Sequence, residues 1–517
     1  MNSKFLKGTL ILLATSVLLR GIGFVYQMLI VRFAGTEAVG ILNMSVPFYS
    51  ILLVMATAGM PVAIAKLTAG FVSKGEEAEI GRMMRTAFLL VGALSIGAFA
   101  AAVWVLPQVF SHLGTEARVA KCFTMLIPGL VIVPFCSVMR GYFQGMQQMQ
   151  YPSLGQVAEQ VIRVISGLVL VIWICPKDVT MLAMALAAAA MLGEAGGCLL
   201  LWFCYLYARR KQRQRNPEST GASRTALPDL LALGMPQAFT KLTSSVDMAI
   251  EASLVPFCLI HMGFNASQAA AVYGQFSGVA VSLITIPTVL TGALGTALIP
   301  AVSEADAGGR KKELEARCSQ SVLITWMFSL PVILMLYAYG EELCCILFHI
   351  EGMGPMMRML SFGAVFMYLE QTLVGILQGL GETKTVFVNN FWGSFSKLIG
   401  MYYGICILGW GSLGIAAGMV LGYGLQCLLN LAALSCRVKL YIKASSILLP
   451  AAGSVLMLAT VKLVTIYHKS SLVLLTAMMA GGCMYLFFLF FTGQLAALRD
   501  GKAGAVLYNW QKKKKLR

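Results

Sequence analysis

The sequence predicts an all-α, polytopic membrane protein of about 14 transmembrane helices, arranged as two six-helix lobes in parallel repeat and two C-terminal helices. Three observations predict it. The 517 residues are 58% hydrophobic and 12% charged, whereas a soluble domain carries charge on about a quarter of its residues, so much of the surface must face lipid. Apolar stretches long enough to cross a hydrocarbon core of about 30 Å as a helix recur along the whole chain. Residues also echo one another 234 positions apart: Gly40 with Gly274, Gly141 with Gly375, Gln144 with Gln378, Gly145 with Gly379, and the basic pair Arg163 with Lys397. A membrane bundle used twice is the pattern of a transporter.

The expected spans cover 8–33, 40–70, 87–110, 120–143, 153–175, 180–207, 229–259, 269–303, 319–339, 356–380, 386–408, 411–435, 445–467 and 471–494. The first follows Lys4 and Lys7, but its apolar run continues past Arg20 without a small-x-small cleavage site, so it reads as a retained helix and not a signal peptide. The second and eighth contain Pro47 and Pro61, and Pro287 and Pro300, which can bend spans that must move. Glycines four apart, at Gly141 and Gly145, Gly375 and Gly379, and Gly414, Gly418 and Gly422, permit close helix approach.

Charge orders these spans across the membrane. The formal net charge is +17, and the basic residues collect on alternate connections: Lys74, Arg82 and Arg85; the run from Arg209 to Arg224; Arg310 to Arg317; Arg437, Lys439 and Lys443; and the tail. The positive-inside rule then puts both termini in the cytoplasm. The tail run Lys512, Lys513, Lys514, Lys515 and Arg517 reads as an anchor beside anionic head groups. A nucleic-acid partner is not expected, since such basic stretches work beside groove-reading or aromatic neighbours on a soluble fold.

The polar, basic stretch RRKQRQRNPESTGASR cannot cross a membrane and marks the seam. The expected organisation is an N-terminal lobe over 1–207, a cytoplasmic linker over 208–227, a C-terminal lobe over 228–437, helices thirteen and fourteen over 438–497, and a basic tail over 498–517. Each repeat holds an even number of spans, so the two share orientation about an axis along the membrane normal.

Several chemistries are excluded by what the chain lacks. Thirteen cysteines are scattered through the spans without a C-x-x-C and read as small apolar packing residues. His112, His261, His349 and His468 lack the i, i+4 spacing of a zinc helix. No phosphate-binding loop and no G-x-S-x-G elbow is present. Neither an enzyme, a metal site nor a cofactor is expected.

Charges inside the spans remain, and these face cavities or one another because each costs about 2.5–3.5 kcal/mol at mid-bilayer. Helix one carries Ser16, Arg20, Gly23 and Gln27 on one face. Helix five carries Gln156, Glu159, Gln160 and Arg163, and its duplicate, helix eleven, carries Asn389, Asn390, Ser394, Ser396 and Lys397. Arg163 can pair with Glu159 at i, i+4 or face a cavity shared with Lys397. Helix seven carries Asp247 and Glu251 one turn apart, beside Lys241. They form either a proton or sodium site or a set of carboxylates paired to Arg20 or Lys241. Glu194 and Glu370 are further intramembrane acids. The substrate-binding candidates are therefore Arg20, Arg163, Lys397, Gln27 and Lys241, and the ion-coupling candidates are Asp247, Glu251, Glu159, Glu194 and Glu370.

The opening KFLKGTLILLATSVLLRGIGFVYQMLIVRFAGTEAVG and the later GMPVAIAKLTAGFVSKGE over 59–76 resemble the stage V sporulation protein B branch of the multidrug, oligosaccharidyl-lipid and polysaccharide exporter superfamily. The resemblance runs over essentially the whole chain. It implies a two-lobed exporter of the bacterial cytoplasmic membrane, and likeness to MurJ-type lipid II flippases implies a cationic cavity with a lipid-tail groove on the last two helices. Arg20 opens the segment Arg20, Gly21, Ile22, Gly23 and Phe24, which is similar to the R-x-x-G-F motif of those flippases. Their second arginine and aspartate are replaced by Tyr26 and Gln27, and the helix-two arginine has no equivalent after Pro47. Arg163 and Lys397 are the residues able to restore that charge.

The expected cargo is a polyprenyl-pyrophosphate-linked cell-wall precursor, since a guanidinium bonds pyrophosphate oxygens in pairs. The branch implies a spore-cortex or wall role, with membrane lipids and cell-wall synthases as partners. Two alternatives stay open: a cation-coupled multidrug antiporter using the helix-seven acids, and a membrane scaffold for wall-synthesis enzymes.

Overall fold

A computed structural model describes residues 3–112, 117–174, 178–215, 226–467 and 470–494, and among them the regular structure is helical throughout. In chain order the helices are α1 (Ser3–Thr57), α2 (Met60–Lys74), α3 (Glu77–Trp104), α4 (Leu106–His112), α5 (Ala117–Leu126), α6 (Gly129–Gly145), α7 (Gln150–Val169), α8 (Val179–Arg215) and α9 (Ala226–His261). They continue as α10 (Ala266–Gly274), α11 (Val281–Thr285), α12 (Thr288–Ala307), α13 (Lys311–Phe348), α14 (Gly354–Gly379), α15 (Thr383–Tyr402), α16 (Ser412–Arg437), α17 (Ala444–Tyr467) and α18 (Ser471–Phe491).

Of the described helices, 11 are long and apolar enough to cross a membrane, or 12 if α5 and α6, bent by 42° at a break, are one span. The expected fourteen is not reached by that measure, for two reasons. The first two expected spans lie on one continuous run, Thr15–Lys74, broken at Gly35 with φ 81 and again at Ala58 and Gly59 with φ 44 and 69. The eleventh lies on α15, where Asn389, Asn390, Ser394, Ser396 and Lys397 dilute the apolar run. The expected bends fall beside Pro61, which opens α2, and at Pro287, which precedes α12; Pro47 stays inside α1.

The duplication is visible in the backbone. At an offset of 234 or one less, the starts of α3 and α13, of α7 and α15, and of α8 and α16 correspond. So do the π-helical turns Leu170–Ile174 and Tyr403–Ile407, local distortions that a repeat carries twice. Left-handed residues recur likewise, Gly75 with Gly309 and Gln147 with Gly381.

The chain packs as two units, Met1–Val279 and Ala280–Arg517. The first centres on Met60, Ile64, Met83, Phe143 and Tyr142, gathered from α2, α3 and α6. It extends through α9 and α10 because these close on α1 at glycines. A Cβ on Gly40 would meet the backbone of Ala270 and Gly274, and a Cβ on Gly274 would meet Thr36 and Gly40. Two repeat-related residues thus lie against each other, and one turn on Asn43 Nδ2 donates to Ser277 Oγ at 3.0 Å, again 234 positions apart. Glu37 closes the same region, accepting from Arg118 Nη1 at 2.6 Å and from Ser267 Oγ.

In the second unit α12, α14 and α16 gather around Val302, Leu377 and Leu434. The final pair α17 and α18 packs on α13 through Met327, Met457 and Val461, with Tyr485 Oη donating to Met327 O at 2.6 Å. The expected linker over 208–227 is partly helix: α8 runs on to Arg215 and α9 starts at Ala226, since Arg, Lys and Gln are good helix formers. Residues 216–225 and the expected basic tail over 498–517 lie outside the described residues.

Candidate functional site

Three of the expected site residues meet in the first unit. Glu159 and Arg163 stand one turn apart on α7, and Arg163 Nη2 donates to Glu159 Oε1 at 2.7 Å. Arg140, from α6, donates through Nη2 to the other oxygen, Oε2, at 2.8 Å. Glu194, from α8, accepts from Arg163 Nη2 at 3.4 Å. Two guanidiniums and two carboxylates therefore balance, all partly buried; the Glu159 side chain is 14% exposed.

Close packing of α7 on α8 makes this geometry. A Cβ on Gly193 would come within 2.7 Å of Glu159 O and 2.9 Å of Arg163 Cβ, and one on Gly197 within 2.8 Å of Glu159 Cβ. With hydrogens there instead, α8 approaches far enough for Glu194 to share Arg163. Of the two roles open to Arg163, the pair with Glu159 is present, and it belongs to a larger network. Arg140 is the member that sequence reading misses. It sits at the end of its span and its acid partner is on another helix, so no helical spacing signals it.

The polar face of α1 borders protein groups along part of its length. Gly23 faces Gln160, whose Nε2 is 3.6 Å from where a Cβ would stand, and Gln27 Nε2 donates to Gly278 O at 3.1 Å. Arg20, one turn before Gly23, has an exposed side chain. On α9, Lys241 is exposed, whereas Asp247 and Glu251 are half-buried one turn apart.

The second unit holds Lys397 and Glu370, both half-buried. Lys397 rests on α16, where a Cβ on Gly418 would lie 2.7 Å from its carbonyl oxygen. Around it α15 and α16 exchange amide bonds, Asn389 Nδ2 to Asn430 Oδ1 at 2.8 Å and Gln426 Nε2 to Asn390 Oδ1 at 3.3 Å. Beside Glu370 on α14, Gln371 Oε1 accepts from Thr291 Oγ1 at 2.6 Å. A cavity of about 400 Å³ opens where α13 meets α17 and α18, lined by Tyr339, Glu341, Glu342, Thr465, Ser470 and Ser471 among others. Its carboxylates and hydroxyls do not suit a hydrocarbon tail.

Comparison with known proteins agrees with this architecture. The family described as polysaccharide biosynthesis protein matches residues 5–306, and that described as MatE matches residues 241–403. Stage V sporulation protein B of Bacillus subtilis is 27% identical over 432 residues, 83% of this chain and 83% of that protein. Lipid II flippase MurJ of the same organism is 23% identical over 432 residues, 77% of each. Two solved structures share the fold at a TM-score of 0.66. They are lipid II flippase MurJ in an inward closed conformation, 14% identical over 94% of this chain and 100% of that one, and an inward-facing multidrug resistance MATE family transporter, 17% identical over 81% and 94%.

Proposed function

Because the chain belongs to the polysaccharide biosynthesis protein family, we propose that it is a flippase. It carries a polyprenyl-pyrophosphate-linked wall precursor, of peptidoglycan or another polysaccharide, from the inner to the outer leaflet of a bacterial cytoplasmic membrane by alternating access. The observation that carries the reading is Arg20, a guanidinium on a long apolar helix whose polar face continues through Gly23 and Gln27 against protein groups. A planar, permanently charged fork matches a pyrophosphate better than an ammonium does. The relative named lipid II flippase supports the cargo class, and the relative named stage V sporulation protein B supports a role in sporulation, which we read as synthesis of the spore cortex.

In the first unit Gln27 and Lys241 add head-group contacts, beside Arg163, whose charge Glu159 and Glu194 balance. The second unit has its own basic group, Lys397, and the apolar outer faces of the helices over 438–497 take the lipid tail. Both termini lie in the cytoplasm, and the neighbours are membrane lipids and cell-wall synthases. Outward movement of an anion gains about 2.3 kcal/mol per charge per 100 mV of inside-negative potential, so the potential alone can drive export. Proton or sodium coupling would use carboxylates among Glu159, Glu194, Asp247, Glu251 and Glu370.

The test is Arg20→Ala in a strain that depends on this protein, scored by outer-leaflet exposure of lipid-linked precursor. Losing a hydrogen bond to a charged group, worth about 1.5–3 kcal/mol, lowers flipping by roughly ten- to a hundredfold. Flipping at the wild-type rate sinks the reading. A second reading, a cation-coupled multidrug antiporter, draws support from the MatE match, which spans Asp247, Glu251 and Glu370. Loss of dye export in Asp247→Asn/Glu251→Gln, with precursor flipping intact, would favour it.

A further inference from the structure

The ionic cluster of the first unit is balanced in charge but not in hydrogen bonds. Glu159 has a guanidinium on each oxygen, at 2.7 and 2.8 Å. Glu194 has one long contact at 3.4 Å on Oε1, and its Oε2 is buried without a hydrogen-bond partner. Two more buried polar atoms of the same region are also without one: Arg163 Nε and Tyr49 Oη. The Tyr49 side chain, reaching in from α1, is only 7% exposed. Its hydroxyl lies against Gly129 at the start of α6, where the end of the Met191 side chain also reaches in from α8, one turn before Glu194. Glu194, Arg163 and Glu159 all act on it electrostatically.

An acceptor oxygen, a guanidinium N–H and a hydroxyl left over together are an unusual remainder, because buried polar atoms are nearly always paired. We propose that Glu194 is the proton-carrying carboxylate of the N-terminal unit, with Tyr49 and Arg163 as the groups that receive it in its two forms. Charged, Glu194 holds Arg163. When protonated on Oε2, by a proton delivered from water and returned to water, it donates a hydrogen bond toward Tyr49 and releases its share of Arg163. Glu159 is the poorer carrier, since a proton on either of its oxygens displaces one short charge-assisted bond and weakens the other, whereas Oε2 of Glu194 is open to a proton and only the long contact on Oε1 is weakened.

The groups facing Glu194 include Arg140 and Cys136 from α6, Glu159 and Arg163 from α7, Tyr49 from α1, and Cys198 one turn on along α8. Uptake takes this cluster from neutral to a net charge of +1, which favours an anion near Arg163. The inference deepens the flippase reading, on which its place in the transport cycle rests: proton uptake and pyrophosphate binding then help each other, and by linkage the help is equal in both directions.

Infrared difference spectra of the full-length protein in liposomes, recorded between neutral and acidic buffer, test it without any cargo. Wild type should show a protonated-carboxyl stretching band that is missing in Glu194→Gln and present in Glu370→Gln. In Tyr49→Phe the band should shift, because its hydrogen-bond partner is gone. A wild type without the band, or a Glu194→Gln protein that keeps it, overturns the proposal. Should Glu194→Gln not be recoverable from membranes, Tyr49→Phe decides alone, and an unmoved band overturns the proposal. In the flipping assay Glu194→Gln should lose the pH response that wild type shows, whereas Arg20→Ala slows flipping at every pH. A protein that has the Glu194 band but moves no precursor refutes the flippase reading and leaves the proton site standing.

Discussion

Glu159→Gln is the most discriminating perturbation of the charge network, because Glu159 alone holds both guanidiniums. Neutralising it leaves Arg140 and Arg163 against the single charge of Glu194. Breaking a buried pair by removing one partner costs about 3–5 kcal/mol. About 1 kcal/mol of this returns if Arg163 shortens its 3.4 Å contact with Glu194 into an ordinary hydrogen bond, so a net loss of roughly 2–4 kcal/mol is expected. Arg140→Gln should cost less than Glu159→Gln, since it frees one oxygen of Glu159 and leaves Arg163 paired. The double variant Arg140→Gln/Glu159→Gln restores one arginine to one glutamate. It should be more stable than the sum of the single losses by about 0.5–3 kcal/mol, the range for directly coupled residues. The assay is unfolding of the purified protein in mixed micelles by increasing denaturing detergent, run as a double-mutant cycle. Single variants as stable as wild type, or losses that simply add, would refute the charge accounting.

Other consequences follow from the same geometry. Gly274→Ala places a methyl group against the Thr36 backbone and should destabilise by about 1–3 kcal/mol, as overpacking does. It should also lower the disulfide cross-linking yield of the double variant Asn43→Cys/Ser277→Cys, and a full yield would show that α1 and α10 do not need the contact. Arg20→Lys should keep the charge yet recover flipping only in part, because the paired donors are lost; full recovery would reduce Arg20 to a point charge. Outside the spans, Thr385 and the Arg437 guanidinium hold the Glu382 carboxyl below its ordinary range. A depressed carboxyl contributes stability above its unfolded value and loses it as pH falls through the folded one. The small stability gap between wild type and Glu382→Gln should therefore close on acidification, and a gap independent of pH contradicts the pairing.

The membrane class, the helical content and the duplication were legible because each is carried by composition or by positions along the chain. The 234-residue echo was enough to pair Gly40 with Gly274 as equivalents, but only folding brings the two into contact and sets Asn43 against Ser277. The span count was less legible. A helix that turns at Gly35 without a loop, or breaks at Ala58 and Gly59, has no composition change to mark it.

The candidate site divides the same way. Helical spacing put Glu159 over Arg163 and singled out Arg20, Gln27, Asp247 and Glu251 as faces, since a helix repeats every 3.6 residues whatever surrounds it. Which charges meet across helices depends on how closely the helices approach, and that depends on Gly193 and Gly197 together with the rotation of α6 and α8 about their axes. Arg140 and Tyr49 became members of the cluster on those terms alone. Local periodicity settles what lies on one helix; the company that Glu194 keeps is a property of four helices packed together.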